Sequence, residues 1–136
     1  MPQHVVNKVT EALNTRRKPL NGSKILLVGL AYKANVDDDR ESPGYVLMDL
    51  MKQAGAEVSY YDPYVPVIRA SREHAHWAGS KCVEWNAITI EAFDAVLIAT
   101  AHSNVNYQEL ANWSQLIIDT RNALTGIDAK CLVVKA

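Results

Sequence analysis

The chain has 136 residues, room for one domain with a single core of ordinary size. Apolar residues make up 49%, charged residues 21%, and the formal net charge is -1, so bulk attraction to nucleic acid or an anionic membrane is excluded and any anion site must be local. No apolar run approaches the roughly 20 residues that cross a bilayer, and MPQHVVNKVT lacks the continuous apolar stretch of a signal peptide, so the expected location is cytoplasmic.

Residues 2–17 place Val5, Val6, Val9, Ala12 and Leu13 on one face of a helix, with Pro2 tolerated in its first turn. RRKPLNGS reads as a short linker closing on a turn. ILLVGL shows no polar alternation, as expected of a strand covered on both faces. SPGYVLMDLMKQAG then predicts a helix with Ser42 as N-cap, Pro43 as first residue, Gly55 as stop, and an apolar stripe of Val46, Leu47, Leu50, Met51 and Ala54. EVSYYDP predicts a second strand ending in a turn at Asp62-Pro63.

Further along, VIRASREHAHWAG reads as helical, KCVEW as a short strand, and ITIEAF as a short helix or turn. DAVLIAT and QLIIDT read as buried strands flanking a short helix in NYQELANW, and CLVVKA as a last strand. Cys82 and Cys131 show no CxxC pairing and read as two buried, reduced thiols. Strands alternating with helices predict an α/β fold, a Rossmann-like doubly wound parallel sheet with helices on both faces, preceded by an N-terminal helix. That helix stands outside the alternation and looks like the tail of something longer.

In such sheets ligands bind beyond the carboxyl ends of the strands, near the point where strand order reverses. Three loops qualify: Gly29-Leu30-Ala31-Tyr32-Lys33, Thr100-Ala101-His102-Ser103 and Asp119-Thr120-Arg121-Asn122. A dinucleotide fingerprint needs G-x-G-x-x-G, and no two glycines of this chain stand two apart; the helix after the first strand also begins about ten residues too late to aim its amides at a phosphate on Gly29. NAD binding by this domain is therefore not expected. No GK[ST] follows Gly29, so a Walker-type loop fails as well.

Positive charge must then come from side chains. Lys33 is a point charge suited to phosphate oxygens, and Arg121 a planar fork suited to phosphate or a base edge; read blandly, both are ordinary loop cations. Tyr32 offers a ring for a base or sugar. Three consecutive carboxylates, Asp37, Asp38 and Asp39, cannot converge on one ion, so this run reads as a loop held by pairs to Arg40 or to backbone amides, with Glu41 and Ser42 at the helix entry. His74 and His76, two apart, make a poor metal pair on a helix. His102-Ser103 and the two cysteines lack an activating geometry, no acidic constellation of a phosphoacceptor domain is present, and no catalytic centre is evident.

GLAYKANVDDDRESP, EVSYYDPYVP, DAVLIATAHS and IIDTRNAL, in this order and separation, resemble the C-terminal domain of the UDP-glucose/GDP-mannose dehydrogenase family. MPQHVVNKVTEALN resembles the end of that family's long central helix, so the likeness covers nearly the whole chain. The DDxRESP and DTRNA forms look most like members that oxidise UDP-N-acetylhexosamines, such as UDP-N-acetylglucosamine 6-dehydrogenase. The resemblance implies a division into residues 1–20, the end of the connecting helix with its linker, and residues 21–136, the nucleotide-sugar (UDP) binding domain. It further implies that Tyr32 and Lys33 lie at the UDP, Lys33 near the phosphates, that Arg121 also reaches the nucleotide, and that Asp38, Arg40, Glu41 and Ser42 form an architectural loop motif. Enzymes of this family oxidise C6 of the sugar from alcohol to acid with two NAD molecules, held in an N-terminal Rossmann domain.

The family's glycine-rich cysteine motif and its NAD fingerprint do not occur in this sequence. The chain is accordingly expected to be an excised domain or truncated product, inactive alone, with UDP-sugar and the missing NAD-binding and central domains as its partners. Oligomerisation is expected of the full-length protein, while this piece could be monomeric. Two competing readings are an assembly or regulatory α/β module that kept the fold without its ligand, and an independent flavodoxin-like binding protein.

Overall fold

The computed structural model describes residues 2–39, 42–70 and 75–136. Five parallel strands form one sheet: β1 (Lys24–Val28), β2 (Glu57–Tyr61), β3 (Ala95–Ile98), β4 (Leu116–Asp119) and β5 (Leu132–Lys135), in spatial order β2-β1-β3-β4-β5. Around them lie α1 (Pro2–Thr15), α2 (Pro43–Gln53), α3 (Ala87–Glu91) and α4 (Tyr107–Trp113). This is the doubly wound, Rossmann-like arrangement that the alternation of elements predicts.

The three central strands lack polar alternation because both their faces are covered. From β1, Ile25 and Leu27 enter a core shared with α1 and α2, while Leu26 and Val28 enter a second core shared with α3 and α4. The same period-two division sorts Ala95 and Leu97 from Val96 and Ile98 on β3, and Leu116 and Ile118 from Ile117 on β4. The N-terminal helix is not peripheral: Val6, Val9, Ala12 and Leu13 are buried in the first core beside α2.

α2 starts where its sequence says it should. Ser42 is extended and its Oγ accepts the Gly44 amide hydrogen at 3.1 Å, satisfying one of the free N–H groups of the first turn, and Pro43 needs no such partner. Its buried face is turned from the expected stripe, however. Val46 and Ala54 are exposed, whereas Tyr45 and Met48 are buried with Leu47 and Met51. The reason is polar: the Tyr45 hydroxyl donates to Asp39 Oδ2 at 2.5 Å, so the tyrosine can point inward with its oxygen satisfied. Burial, followed by the Asp39 hydrogen bond, drives the Tyr45 phenol far above its ordinary range, and it stays a donor.

The stretch after β2 departs from expectation. Val67 forms an antiparallel bridge with Lys81, the Ile68 amide donates to the Ser80 carbonyl and the Gly79 amide to the Ile68 carbonyl, and a 3-10 turn spans Ala75–Trp77. The described part of VIRASREHAHWAG is thus a loop rather than a helix. His74 lies outside the described residues. KCVEW is likewise no strand, but it is tied down: the Cys82 and Val83 amides donate to Pro66 and Tyr60 carbonyls at 3.0 Å. Turn chemistry and these cross-links outweigh the local apolar pattern. Within ITIEAF the helix is real, capped by Asn86, whose side chain accepts from the Thr89 amide.

At the opposite, amino-terminal edge of the sheet, Lys18 Nζ meets Asp94 Oδ1 at 2.6 Å and the Lys24 amide donates to Asp94 Oδ2 at 2.8 Å. Burial pushes the Asp94 carboxyl up, but the Lys18 hydrogen bond, the Lys24 amide and the two ammonium charges outweigh it and hold it below the ordinary carboxylate range. A group with a depressed folded value stabilises the fold above its unfolded pKa and loses that contribution as pH falls through the folded value. Urea titrations should therefore show stability declining below about pH 4, with Asp94→Asn removing part of the decline. At neutral pH that variant should cost no more than about 1 kcal/mol, since the half-exposed Lys18 is screened by solvent.

Cys82 and Cys131 are free thiols, half-buried rather than buried, and burial raises the Cys131 thiol above its ordinary value. Among the described residues no helix is long and apolar enough to cross a membrane.

Candidate functional site

The strand order reverses between β1 and β3, and the loops leaving their carboxyl ends meet there. Gly29 opens the first loop at φ +91°, pressed so close to the segment leaving β3 that a Cβ would stand 2.1 Å from the Thr100 carbonyl oxygen. The next two amides, Leu30 and Ala31, both donate to Asp62 Oδ2 at 2.7 and 2.8 Å. The Ala31 carbonyl accepts from Thr100 Oγ1 at 2.9 Å, and the Tyr32 amide closes a small loop on the Asp38 carbonyl at 2.6 Å.

Asp62, at the end of β2, is the hub of this rim. Fully buried, it accepts the two loop amides and His102 Nε2 at 2.8 Å on one oxygen, and the Tyr64 amide at 2.8 Å on the other. His102 is equally buried, and its Nδ1 accepts the Asn35 amide hydrogen at 2.8 Å, which assigns the ring proton to Nε2. The Asn35 side chain then clamps Ser103, with Nδ2 donating to Ser103 Oγ at 2.9 Å and Oδ1 accepting the Ser103 amide at 2.8 Å. Tyr107 donates from its hydroxyl to the His102 carbonyl at 3.0 Å; burial, helped by the charges of Asp119 and Asp62, pushes its phenol up to about 12.

A second carboxylate organises the third loop. Asp119, buried at the end of β4, accepts the amides of Arg121 and Ala123 on Oδ1 and of Leu124 on Oδ2, at 3.0 to 3.2 Å. This fold of the loop sends Arg121 back over β3, where its Nε donates to the Ala99 carbonyl at 3.1 Å. The Gly29 loop and the Arg121 loop are thus fastened to consecutive residues just past the end of β3, Thr100 and Ala99.

The residues singled out from sequence fall as follows. Tyr32 is 52% exposed and Lys33 is exposed without an ion pair or hydrogen bond among the described residues. Arg121 is exposed beyond its anchored Nε. Asp38 gives its backbone carbonyl to Tyr32, and Ser42 caps α2. Arg40 and Glu41 lie outside the described residues. Asp39 is held by Tyr45 and, at 3.7 Å, by Arg69. His76 is committed to Asp49 at 2.6 Å beside Trp77, whose indole shares the same oxygen.

The sequence reading gives no role to Asp62, His102, Asn35 or Asp119, although His102 and Asp119 fall in two of the three candidate loops. His102 reads there as part of a candidate loop and as a neighbour of Ser103, where it offers no nucleophile geometry; its role emerges once β2 and β3 are known to flank β1. The signal for the carboxylates was positional: Asp62 and Asp119 each close a strand at the rim of the sheet. The geometry also bears on a dinucleotide. The amides after Gly29, which a fingerprint loop would turn on a pyrophosphate, are taken by the Asp62 carboxylate, and α2 begins only at Pro43. The loop after β1 therefore lacks the free amides of a dinucleotide fingerprint.

Residues 26–126 match the sequence pattern of the UDP-glucose/GDP-mannose dehydrogenase family, UDP binding domain. The chain is 30% identical over 129 residues to UDP-N-acetyl-D-mannosamine dehydrogenase of Pyrococcus horikoshii, covering 91% of this chain and 28% of that enzyme. It is 34% identical over 126 residues to UDP-glucose 6-dehydrogenase YwqF of Bacillus subtilis, covering 86% and 27% respectively. The solved structure of the UDP-D-ManNAc dehydrogenase from Pyrococcus horikoshii superposes with a TM-score of 0.76 at 26% identity, over 98% of this chain and 30% of that one. The chain therefore spans under a third of these relatives. It belongs to the UDP-glucose/GDP-mannose dehydrogenase family and corresponds to that family's C-terminal UDP binding domain.

Proposed function

We propose that this chain binds the uridine diphosphate end of a UDP-sugar, a UDP-N-acetylhexosamine or UDP-glucose, for an NAD-dependent 6-dehydrogenase that acts in the cytoplasm. Lys33 meets the phosphates, Arg121 meets phosphate or base, and the exposed ring of Tyr32 packs on the nucleoside. Residues 21–136 form the binding domain, and residues 1–20 lead from a connecting helix into it. The NAD-binding part and the cysteine chemistry come from the other domains of the full-length, oligomeric enzyme, so this chain alone does not oxidise substrate.

One observation carries the reading: a lysine loop and an arginine loop are fastened to adjacent residues just past the end of β3 at the reversal point, and Arg121 is already braced there. Calorimetric titration of the isolated chain should show saturable UDP binding, stronger than inorganic phosphate. Lys33→Ala and Arg121→Ala should each weaken it by about 1.5–3 kcal/mol, the range for a charge-assisted hydrogen bond. Equal heats for UDP and phosphate would exclude nucleotide recognition, and unchanged affinity in both variants would exclude these two cations.

A further inference from the structure

We infer that Asn35 and His102 are positioning residues that hold the Tyr32–Lys33 loop ready for a nucleoside diphosphate; the inference rests on the UDP-binding reading above. The loop from Tyr32 to Asp38 is exposed at the rim; the Tyr32 amide donates to the Asp38 carbonyl across its base, and Arg69 reaches the Asp37 carbonyl at 3.5 Å. Lys33 has no partner of its own among the described residues. What fixes the loop against the sheet is Asn35, two residues beyond Lys33, through three hydrogen bonds of 2.8–2.9 Å to His102 and Ser103.

His102 can serve as the fixed end because it is itself immobile. Its ring is fully buried, bonded through Nε2 to Asp62, and 4.8 Å from the Tyr64 ring, while Tyr107 holds its carbonyl. Asp62 in turn holds the start of the same loop through Leu30 and Ala31. The loop is therefore gripped at its base by the carboxylate and at its tip by the imidazole, with both grips joined in one hydrogen-bonded unit. A lysine on such a loop arrives at a ligand with most of its backbone freedom already removed, and binding is tighter because that ordering cost does not recur. Neither Asn35 nor His102 needs to touch the ligand.

The test uses Asn35→Gly. At φ +64° glycine takes the same backbone without strain, so the variant keeps the amide bond to His102 and loses only the exposed side-chain clamp on Ser103. UDP affinity of the whole chain should fall about fivefold, with the melting temperature moved by no more than about 4 °C. A purely structural role would lower affinity equally in any background. The positioning role instead predicts that Asn35→Gly costs nothing further once Lys33 is already alanine, a coupling read from the double-mutant cycle.

His102→Gln is the second variant. Its amide reaches toward the Nε2 position, keeping a donor for Asp62 while removing the acceptor for the Asn35 amide, and it should weaken UDP binding in the same Lys33-dependent way. If wild type binds UDP and these variants bind it equally well, or weaken it independently of Lys33, the positioning role is overturned while the binding function stands. If wild type fails to bind UDP, both fall together.

Discussion

Alanine at Gly29 should destabilise the fold by on the order of 2–5 kcal/mol, combining a left-handed backbone penalty of about 1–2 kcal/mol with an overpacking cost of about 1–3 kcal/mol. The added methyl would sit 2.1 Å from the Thr100 carbonyl oxygen and 2.7 Å from its Cβ, and neither a backbone carbonyl nor a β-branched side chain can swing aside. Gly126 provides the control: it also has a positive φ, +78°, but nothing lies within 4 Å of its would-be Cβ. Gly126→Ala should cost only the backbone penalty, about 1–2 kcal/mol. Urea denaturation of the two variants separates contact from conformation. Equal losses at both positions would mean that the loops leaving β1 and β3 are not pressed together at the rim.

Asp62→Ala should cost at least about 3 kcal/mol, because it strips several buried N–H donors of their acceptor and each one left unsatisfied costs about 1–3 kcal/mol. Four donors depend on this carboxylate: the amides of Leu30, Ala31 and Tyr64, and His102 Nε2. All converge on a fully buried position where water cannot replace the lost acceptor. Amide hydrogen exchange should localise the damage, with Leu30 and Ala31 losing protection before β4 and β5 do. A loss below about 1 kcal/mol, within the range of a single ordinary hydrogen bond, would show that the rim is held together by other means.

What could be read ahead of the structure follows a physical dividing line. The strands β1, β3 and β4 announce themselves because burial on both faces demands unbroken apolar runs, and α2 because Ser42-Pro43 encodes a cap. The three rim loops followed from topology alone. The described residues between Val67 and Trp85 did not, since they are held by bonds to partners far along the chain, such as Val83 to Tyr60, which no local pattern carries. The face of α2 was misjudged for a related reason. Tyr45 turns inward only because Asp39, six residues earlier, receives its hydroxyl. Of the site, the cations were legible as charges on loops. The buried carboxylates and the imidazole that shape those loops were not, because a polar residue destined for burial looks in sequence like any other turn residue.

The Nε bond from Arg121 to Ala99 leaves both terminal nitrogens of the guanidinium uncommitted among the described residues. One corner of a rigid planar group is pinned, which restricts how the other two can swing. A lysine at this position has a single nitrogen on a freely rotating stem; engaging the carbonyl would compete with engaging anything else. Keeping the formal charge at position 121 is therefore not enough to keep its behaviour, and Arg121→Lys belongs among the non-conservative changes in this protein.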